Sequence, residues 1–104
     1  MEEKLKILVV DDDLVDAIAV RRSLQAAGAS VEVLEARNYS TAIALLQQQS
    51  FDCVFLDYSL PDANGLQLVQ EVRAAGIKVP LVVLTEQGDE QIAVEVMKAG
   101  ASDY

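Results

Sequence analysis

Four short apolar runs recur along the 104-residue chain, and each has the length of a β-strand. They occupy residues 5–10, 31–34, 53–56 and 81–84. In the first, third and fourth runs, apolar residues stand at consecutive rather than alternate positions. This pattern is typical of strands in a parallel sheet that are buried on both faces. We therefore predict helices packed on both sides of such a sheet.

The segments between the runs carry apolar residues at helical spacing, which predicts four helices. Glycines at positions 28, 76 and 100 stand where the first, third and fourth helices are expected to end. The result is a strand–helix unit repeated four times, with right-handed crossovers, in one domain over residues 1–104. The spacing is carried by Leu14, Ile18, Arg21 and Leu24, by Ala42, Leu45 and Leu46, by Leu66, Val69 and Val72, and by Ile92, Val96 and Met97.

Composition and charge exclude several classes of function. The formal net charge is -9 and the eight basic residues are scattered, so this segment is not expected to bind nucleic acid. No stretch approaches the roughly 20 apolar residues of a membrane helix, and residues 1–6 are too short and charged for a signal peptide. We therefore expect a soluble domain in the cytoplasm. Cys53 is the only cysteine, which excludes an internal disulfide and predicts a buried free thiol.

Acidic and hydroxyl residues follow three of the predicted strands. Asp11, Asp12 and Asp13 follow the first, residues 57–59 (Asp-Tyr-Ser) follow the third, and residues 85–86 (Thr-Glu) follow the fourth. Ligands of open parallel sheets bind at the carboxyl ends of the strands. If the first, third and fourth strands are neighbours, these residues meet at one edge of the sheet as a cluster of acids with one hydroxyl.

Such a cluster requires a proton or a cation, because two carboxylates about 5 Å apart repel by roughly 3 kcal/mol at an effective dielectric near 20. Carboxylate and carbonyl oxygens, with no histidine in the chain and no second thiol, favour a hard divalent ion over zinc or copper. Mg²⁺ is the natural candidate, and it would keep open positions for phosphate oxygens. An adjacent aspartate could then accept a phosphoryl group, with Thr85 hydrogen-bonded to a phosphate oxygen.

Each of these residues also has an ordinary structural interpretation. The aspartates after the first strand could cap the first helix. Asp57 could be a turn residue, Thr85 a hydroxyl at a strand end, and Tyr104 a core aromatic. Their joint placement at one sheet edge is what argues for function.

Five motifs in register resemble the receiver domains of two-component response regulators. They are Ile-Leu-Val-Val-Asp-Asp at residues 7–12, Val-Phe-Leu-Asp at 54–57, Leu60-Pro61 with Gly65, Val-Val-Leu-Thr at 82–85, and Ala-Gly-Ala-Ser-Asp-Tyr at 99–104. The resemblance spans the chain. It implies an α/β, flavodoxin-like, doubly wound parallel sheet with strand order 2-1-3-4-5, of which this chain has four strand–helix units and lacks the fifth strand and helix.

The resemblance also implies a role for each matching residue. Asp57 would be the phospho-acceptor, and Mg²⁺ would be held by Asp11, Asp12, Asp57 and the main-chain carbonyl of Ser59. Thr85 would be the switch hydroxyl and Tyr104 the aromatic that moves with it. The phosphoryl donor would be a phosphohistidine on a sensor histidine kinase or a histidine phosphotransfer protein. The domain would catalyse only its own phosphorylation and slow dephosphorylation, and so would be a switch acting on an unidentified effector rather than an enzyme.

Two features depart from the family pattern. The family's lysine, three positions beyond the aromatic, would lie past Tyr104, and Glu86 stands where a small residue is usual. We therefore expect a truncated receiver with an open edge at the fourth strand and a tendency to self-associate. Two alternatives stay open: a phosphorylation-independent interaction module, and a Mg²⁺-dependent aspartyl phosphatase suggested by the alternate spacing of Asp11 and Asp13.

Overall fold

A computed structural model describes residues 5–28, 30–58, 64–84 and 90–101, and these form alternating strands and helices. All eight predicted elements are present in the predicted order. They are β1 (Leu5–Val10), α1 (Leu14–Ala26), β2 (Val31–Ala36), α2 (Tyr39–Gln48), β3 (Cys53–Asp57), α3 (Gly65–Ala74), β4 (Leu81–Leu84) and α4 (Glu90–Ala99).

The four strands form one parallel sheet in the order β2-β1-β3-β4. This order makes β1 and β3 the central strands and confirms the doubly wound α/β architecture. Two strands are longer than the apolar runs predict. β2 continues to Ala36, because its pairing with β1 runs through Val10, and the polar Glu35 is accommodated by an ion pair of 2.8 Å with Arg21 of α1. β3 continues to Asp57, which pairs with Leu84.

The core lies mainly on one face of the sheet. There, buried side chains of α2 and α3 pack against alternate residues of the strands, among them Leu8, Val54, Leu56 and Leu81. On the opposite face, Ile7 and Val9 form a smaller cluster with Leu24 of α1. Burial on both faces is therefore complete only over Ile7 to Val10 of β1, whereas Leu5 is exposed and alternate residues of β3 and β4 are half-buried. The predicted burial of Cys53 is only partly correct, since it is half-buried on the α1 face.

The predicted glycine stops are confirmed. Gly28, Gly76 and Gly100 have φ angles of +80°, +80° and +115°, a region that side chains disfavour. The helix starts were not predicted: Asn38 caps α2 and Asn64 caps α3, each accepting a hydrogen bond from a backbone N–H three residues later. None of the described helices has the length and apolar character needed to span a membrane.

Candidate functional site

The register of the central strands brings Asp11 beside Asp57. Val10 pairs with Leu56, so the next residues along the two parallel strands, Asp11 and Asp57, stand next to each other at the carboxyl edge of the sheet. On the other side of β1, the Asp11 N–H donates to the Ala36 carbonyl at 2.9 Å. The pairing of β1 with β2 on one side and with β3 on the other therefore fixes the backbone at Asp11 and Asp57.

Asp11, Asp12 and Asp57 form a group of three carboxylates whose oxygens lie within 4.8 Å of one another. Asp11 is 7% exposed and is the one buried charged residue in the described part of the chain, Asp57 is half-buried, and Asp12 is exposed. Two carboxylates at that separation repel by about 3 kcal/mol at an effective dielectric near 20. Oxygen ligands at this spacing suit a hard divalent cation such as Mg²⁺, which compensates the repulsion directly.

Asp11 also shapes the turn that leads into α1. Its Oδ1 accepts a hydrogen bond of 2.8 Å from the backbone N–H of Asp13, one residue before the helix begins. This hydrogen bond forms a local turn before α1 and coexists with membership of Asp11 in the acidic group, and because its donor precedes the helix, capping of α1 by these aspartates stays a prediction. Asp13 is not a member of that group. The alternate spacing of Asp11 and Asp13, which suggested an aspartyl phosphatase, therefore gains no support from the composition of the acidic group.

The backbone after Asp57 is held from two directions. The Tyr58 N–H donates to the Leu84 carbonyl at 3.0 Å, and the Tyr58 carbonyl accepts from the Gly65 N–H at 2.6 Å. Gly65 is the first residue of α3, whose start is fixed by a reciprocal capping box between Asn64 and Gln67. This contribution was not predicted from the sequence, although an Asn followed three residues later by Gln is a recognisable capping signal.

Some residues singled out in the sequence lie outside the described residues. They are Ser59, Thr85, Glu86 and Tyr104, together with Leu60, Pro61 and residues 102–103 of the family motifs. The predicted roles of Ser59 as a main-chain metal ligand, of Thr85 as the switch hydroxyl and of Tyr104 as the switch aromatic therefore stay predictions. Thr85 is the residue that follows Leu84, the partner of Asp57 in the sheet.

The structure is a four-stranded, doubly wound parallel sheet with an acidic group at the carboxyl ends of its central strands, which is where open α/β sheets bind their ligands. The chain matches the response regulator receiver domain over residues 7–104. It therefore belongs to the receiver domain family of two-component response regulators, and the resemblance noted in its motifs is confirmed.

Curated relatives agree with this assignment. The chain is 37% identical over 100 residues to the response regulator MprA of Mycolicibacterium vanbaalenii, covering 96% of this chain and 42% of that protein. It is 38% identical over 104 residues to the transcriptional regulatory protein RprY of Bacteroides fragilis, covering all of this chain and 43% of that protein. The chain thus spans less than half the length of these relatives.

Solved structures match the fold closely. A putative response regulator from Chloroflexus aurantiacus aligns with a TM-score of 0.88 at 31% identity, covering 98% of this chain and 84% of that one. The BeF3-activated receiver domain of DrrB aligns with a TM-score of 0.82 at 27% identity, covering 98% and 83%. The flavodoxin-like architecture predicted from the sequence is thereby confirmed for β1 to β4.

Proposed function

We propose that Asp57 accepts a phosphoryl group and that Asp11, Asp12 and Asp57 hold Mg²⁺ while it does so. The observation that carries this proposal is the convergence of three carboxylates within 4.8 Å at the ends of β1 and β3. A buried acid, a half-buried acid and an exposed acid make a cation site that opens to solvent on one side. A phosphoryl donor can approach from that side.

The chemistry assigned to this chain is an in-line displacement. A carboxylate oxygen of Asp57 attacks phosphorus, the P–N bond of a phosphohistidine donor breaks, and the imidazole leaves with the bonding electron pair and takes up a proton. The product is an acyl phosphate on Asp57. When bound, Mg²⁺ supplies positive charge to the phosphoryl oxygens. Asp11 contributes a carboxylate whose place is fixed by the turn at Asp13, and Asp12 contributes one at the exposed rim.

The remaining roles in this proposal follow the family pattern. The Ser59 main-chain carbonyl would complete the protein ligands of Mg²⁺, Thr85 would hydrogen-bond the phosphoryl group, and Tyr104 would move with it. The donor would be a sensor histidine kinase or a histidine phosphotransfer protein in the cytoplasm, and phosphorylation would change the affinity for an effector. The chain would act as a switch and not as an enzyme with turnover on a separate substrate.

Intact-mass spectrometry after incubation with Mg²⁺ and acetyl phosphate tests the proposal. The unaltered protein is expected to gain one phosphoryl group that is lost on mild alkaline treatment, and Asp57→Asn is expected to gain none. Asp52→Asn is the matched control, because Asp52 is an exposed acid just before the other end of β3. Labelling of Asp57→Asn equal to that of the unaltered protein would overturn the assignment of Asp57.

The same protein samples separate the two alternatives. Repeated hydrolysis of a phosphate ester, beyond one equivalent per chain, would indicate the aspartyl phosphatase. Absence of labelling, together with partner binding that is unchanged in Asp57→Asn and Asp57→Glu, would indicate the phosphorylation-independent interaction module. Stoichiometric labelling without turnover supports the receiver switch.

A further inference from the structure

Gly65 links the start of α3 to the end of the strand that carries Asp57. Its N–H donates to the Tyr58 carbonyl at 2.6 Å, which joins the chain on either side of residues 59–63. Gly65 itself is buried. The backbone that leaves Asp57 is therefore in direct contact with the first turn of a helix.

No side chain fits at this position. A Cβ on Gly65 would lie 2.9 Å from the Tyr58 Cα and 3.3 Å from the Asp57 carbonyl oxygen. Both neighbours are backbone atoms, so no side chain can rotate away to make room. Ordinary van der Waals contact begins at 3.4 Å, so one of the two segments would have to move by about half an ångström.

Neither segment is free to move, because Tyr58 is hydrogen-bonded to Leu84 in the sheet and the facing segment is the capped helix α3. Its start is fixed by the Asn64 Oδ1, which accepts from the Gln67 N–H at 2.9 Å, and by the Gln67 Oε1, which accepts from the Asn64 N–H at 3.0 Å. Three of its side chains, those of Leu68, Val69 and Val72, are fully buried in the core. Relief of the clash therefore strains both segments, and any shift taken up by the Asp57–Tyr58 backbone displaces Asp57 relative to Asp11 and Asp12.

We propose that Gly65 is a positioning residue for the acidic site, which sets the place of Asp57 relative to Asp11 and Asp12. This inference rests on the proposed function, since it concerns the same cation and the same acceptor. Mg²⁺ demands near-ideal octahedral geometry, and a functional site is sensitive to shifts of about half an ångström in its ligands. The absence of a side chain at position 65 thus contributes to cation affinity as well as to packing.

The test compares Gly65→Ala with Gly76→Ala in the same protein. Gly76 follows the other end of α3 and has a φ of +80°, and a Cβ added there would meet no atom within 4 Å, so alanine strains the backbone away from the site. Both variants are expected to lose stability. Only Gly65→Ala is expected to bind Mg²⁺ about 10-fold more weakly or worse by calorimetry, at a temperature where both are folded.

A second pair of variants decides the matter if Gly65→Ala does not fold. Asn64→Ala removes the cap that holds the helix start, whereas Asn64→Ser keeps a side-chain acceptor there. Weaker Mg²⁺ binding in Asn64→Ala that is restored in Asn64→Ser supports the proposal. Folded Gly65→Ala with unchanged Mg²⁺ affinity overturns it, and where Gly65→Ala does not fold, unchanged affinity in Asn64→Ala overturns it. Absence of Mg²⁺ binding by the unaltered protein would instead show that the proposed function itself is wrong.

Discussion

Arg73, in the last turn of α3, donates a hydrogen bond of 2.9 Å from its Nε to the carbonyl oxygen of Gly100, which directly follows α4. Its Nη1 donates to the carbonyls of Ile77 and Val79, at 3.0 and 2.7 Å. One guanidinium thus joins the ends of two helices to the segment that leads into β4. It provides charged hydrogen bonds to carbonyls in the half-buried space between these elements.

Replacing Arg73 by Ala is expected to lower the free energy of unfolding by about 2–4 kcal/mol, because three carbonyls lose a charged donor. Arg73→Lys should recover part of this loss, since an ammonium cannot reach all three acceptors in the planar arrangement of a guanidinium. Urea unfolding of both variants measures the effect. Arg22→Ala, at an exposed position of α1, is the control and should change stability by less than about 0.5 kcal/mol. A loss in Arg73→Ala no larger than in this control would contradict the prediction.

Gly100→Ala should also destabilise the protein, by about 1–3 kcal/mol, because φ is +115° and a Cβ would lie 2.9 Å from the Arg73 Cγ. The loss that comes from the strained φ angle is independent of Arg73. The loss that comes from the clash with Cγ depends on the Arg73 side chain. The same substitution should therefore be less harmful in an Arg73→Ala background. A double-mutant cycle is expected to show a coupling of about 0.5–3 kcal/mol, and strict additivity would argue against direct contact.

Removing one charge from the acidic group should stabilise the protein when no divalent cation is present. In the presence of a chelator, Asp12→Asn is expected to raise the free energy of unfolding by about 1 kcal/mol, a value reduced by solvent screening at this exposed residue. With Mg²⁺ at about 100 times its dissociation constant, the unaltered protein should gain about 2.7 kcal/mol and the variant less. Denaturant titrations with and without Mg²⁺ measure whether the variant is the more stable protein in chelator and gains less stability from Mg²⁺. The control Asp52→Asn should gain as much stability from Mg²⁺ as the unaltered protein.

The Cys53 thiol should react slowly, because desolvation in the half-buried strand raises its pKa above that of a solvent-exposed thiol. A backbone hydrogen bond from Val54 lowers this pKa in part, and the nearby Asp52 raises it further. The Cys53 thiol therefore ionises at lower pH in the unfolded chain than in the folded protein. The contribution of the protonated thiol to the free energy of unfolding is complete below the pKa that Cys53 has in the unfolded chain. It is lost as pH rises through the pKa that Cys53 has in the folded protein.

Alkylation of Cys53 by iodoacetamide should be slower in the folded protein than in urea at pH 8–9, and Cys53→Ala should reduce the loss of stability at alkaline pH. Equal rates in folded and unfolded protein would show that the thiol is not desolvated.

Local sequence determined the order and type of the elements. The four apolar runs predicted the strands, and Gly28, Gly76 and Gly100 predicted where three helices end. These features depend on the hydrophobic period and on the conformational freedom of single residues, which are properties of neighbouring positions. The same local signals placed Asp11, Asp12 and Asp57 at the carboxyl ends of strands, which was sufficient to predict an acidic group.

Tertiary structure decided the features that depend on residues far apart in the chain. The pairing of Val10 with Leu56 and with Ala36 set the distance between the carboxylates and extended β2 past Glu35. The contact of Gly65 with the backbone of Tyr58 and that of Arg73 with Gly100 have no periodic signal in the sequence. Strand register and the close approach of backbones follow from how the whole core packs. The sequence therefore determined that the three carboxylates meet, and the packed fold decided how closely they lie and which further contacts form around them.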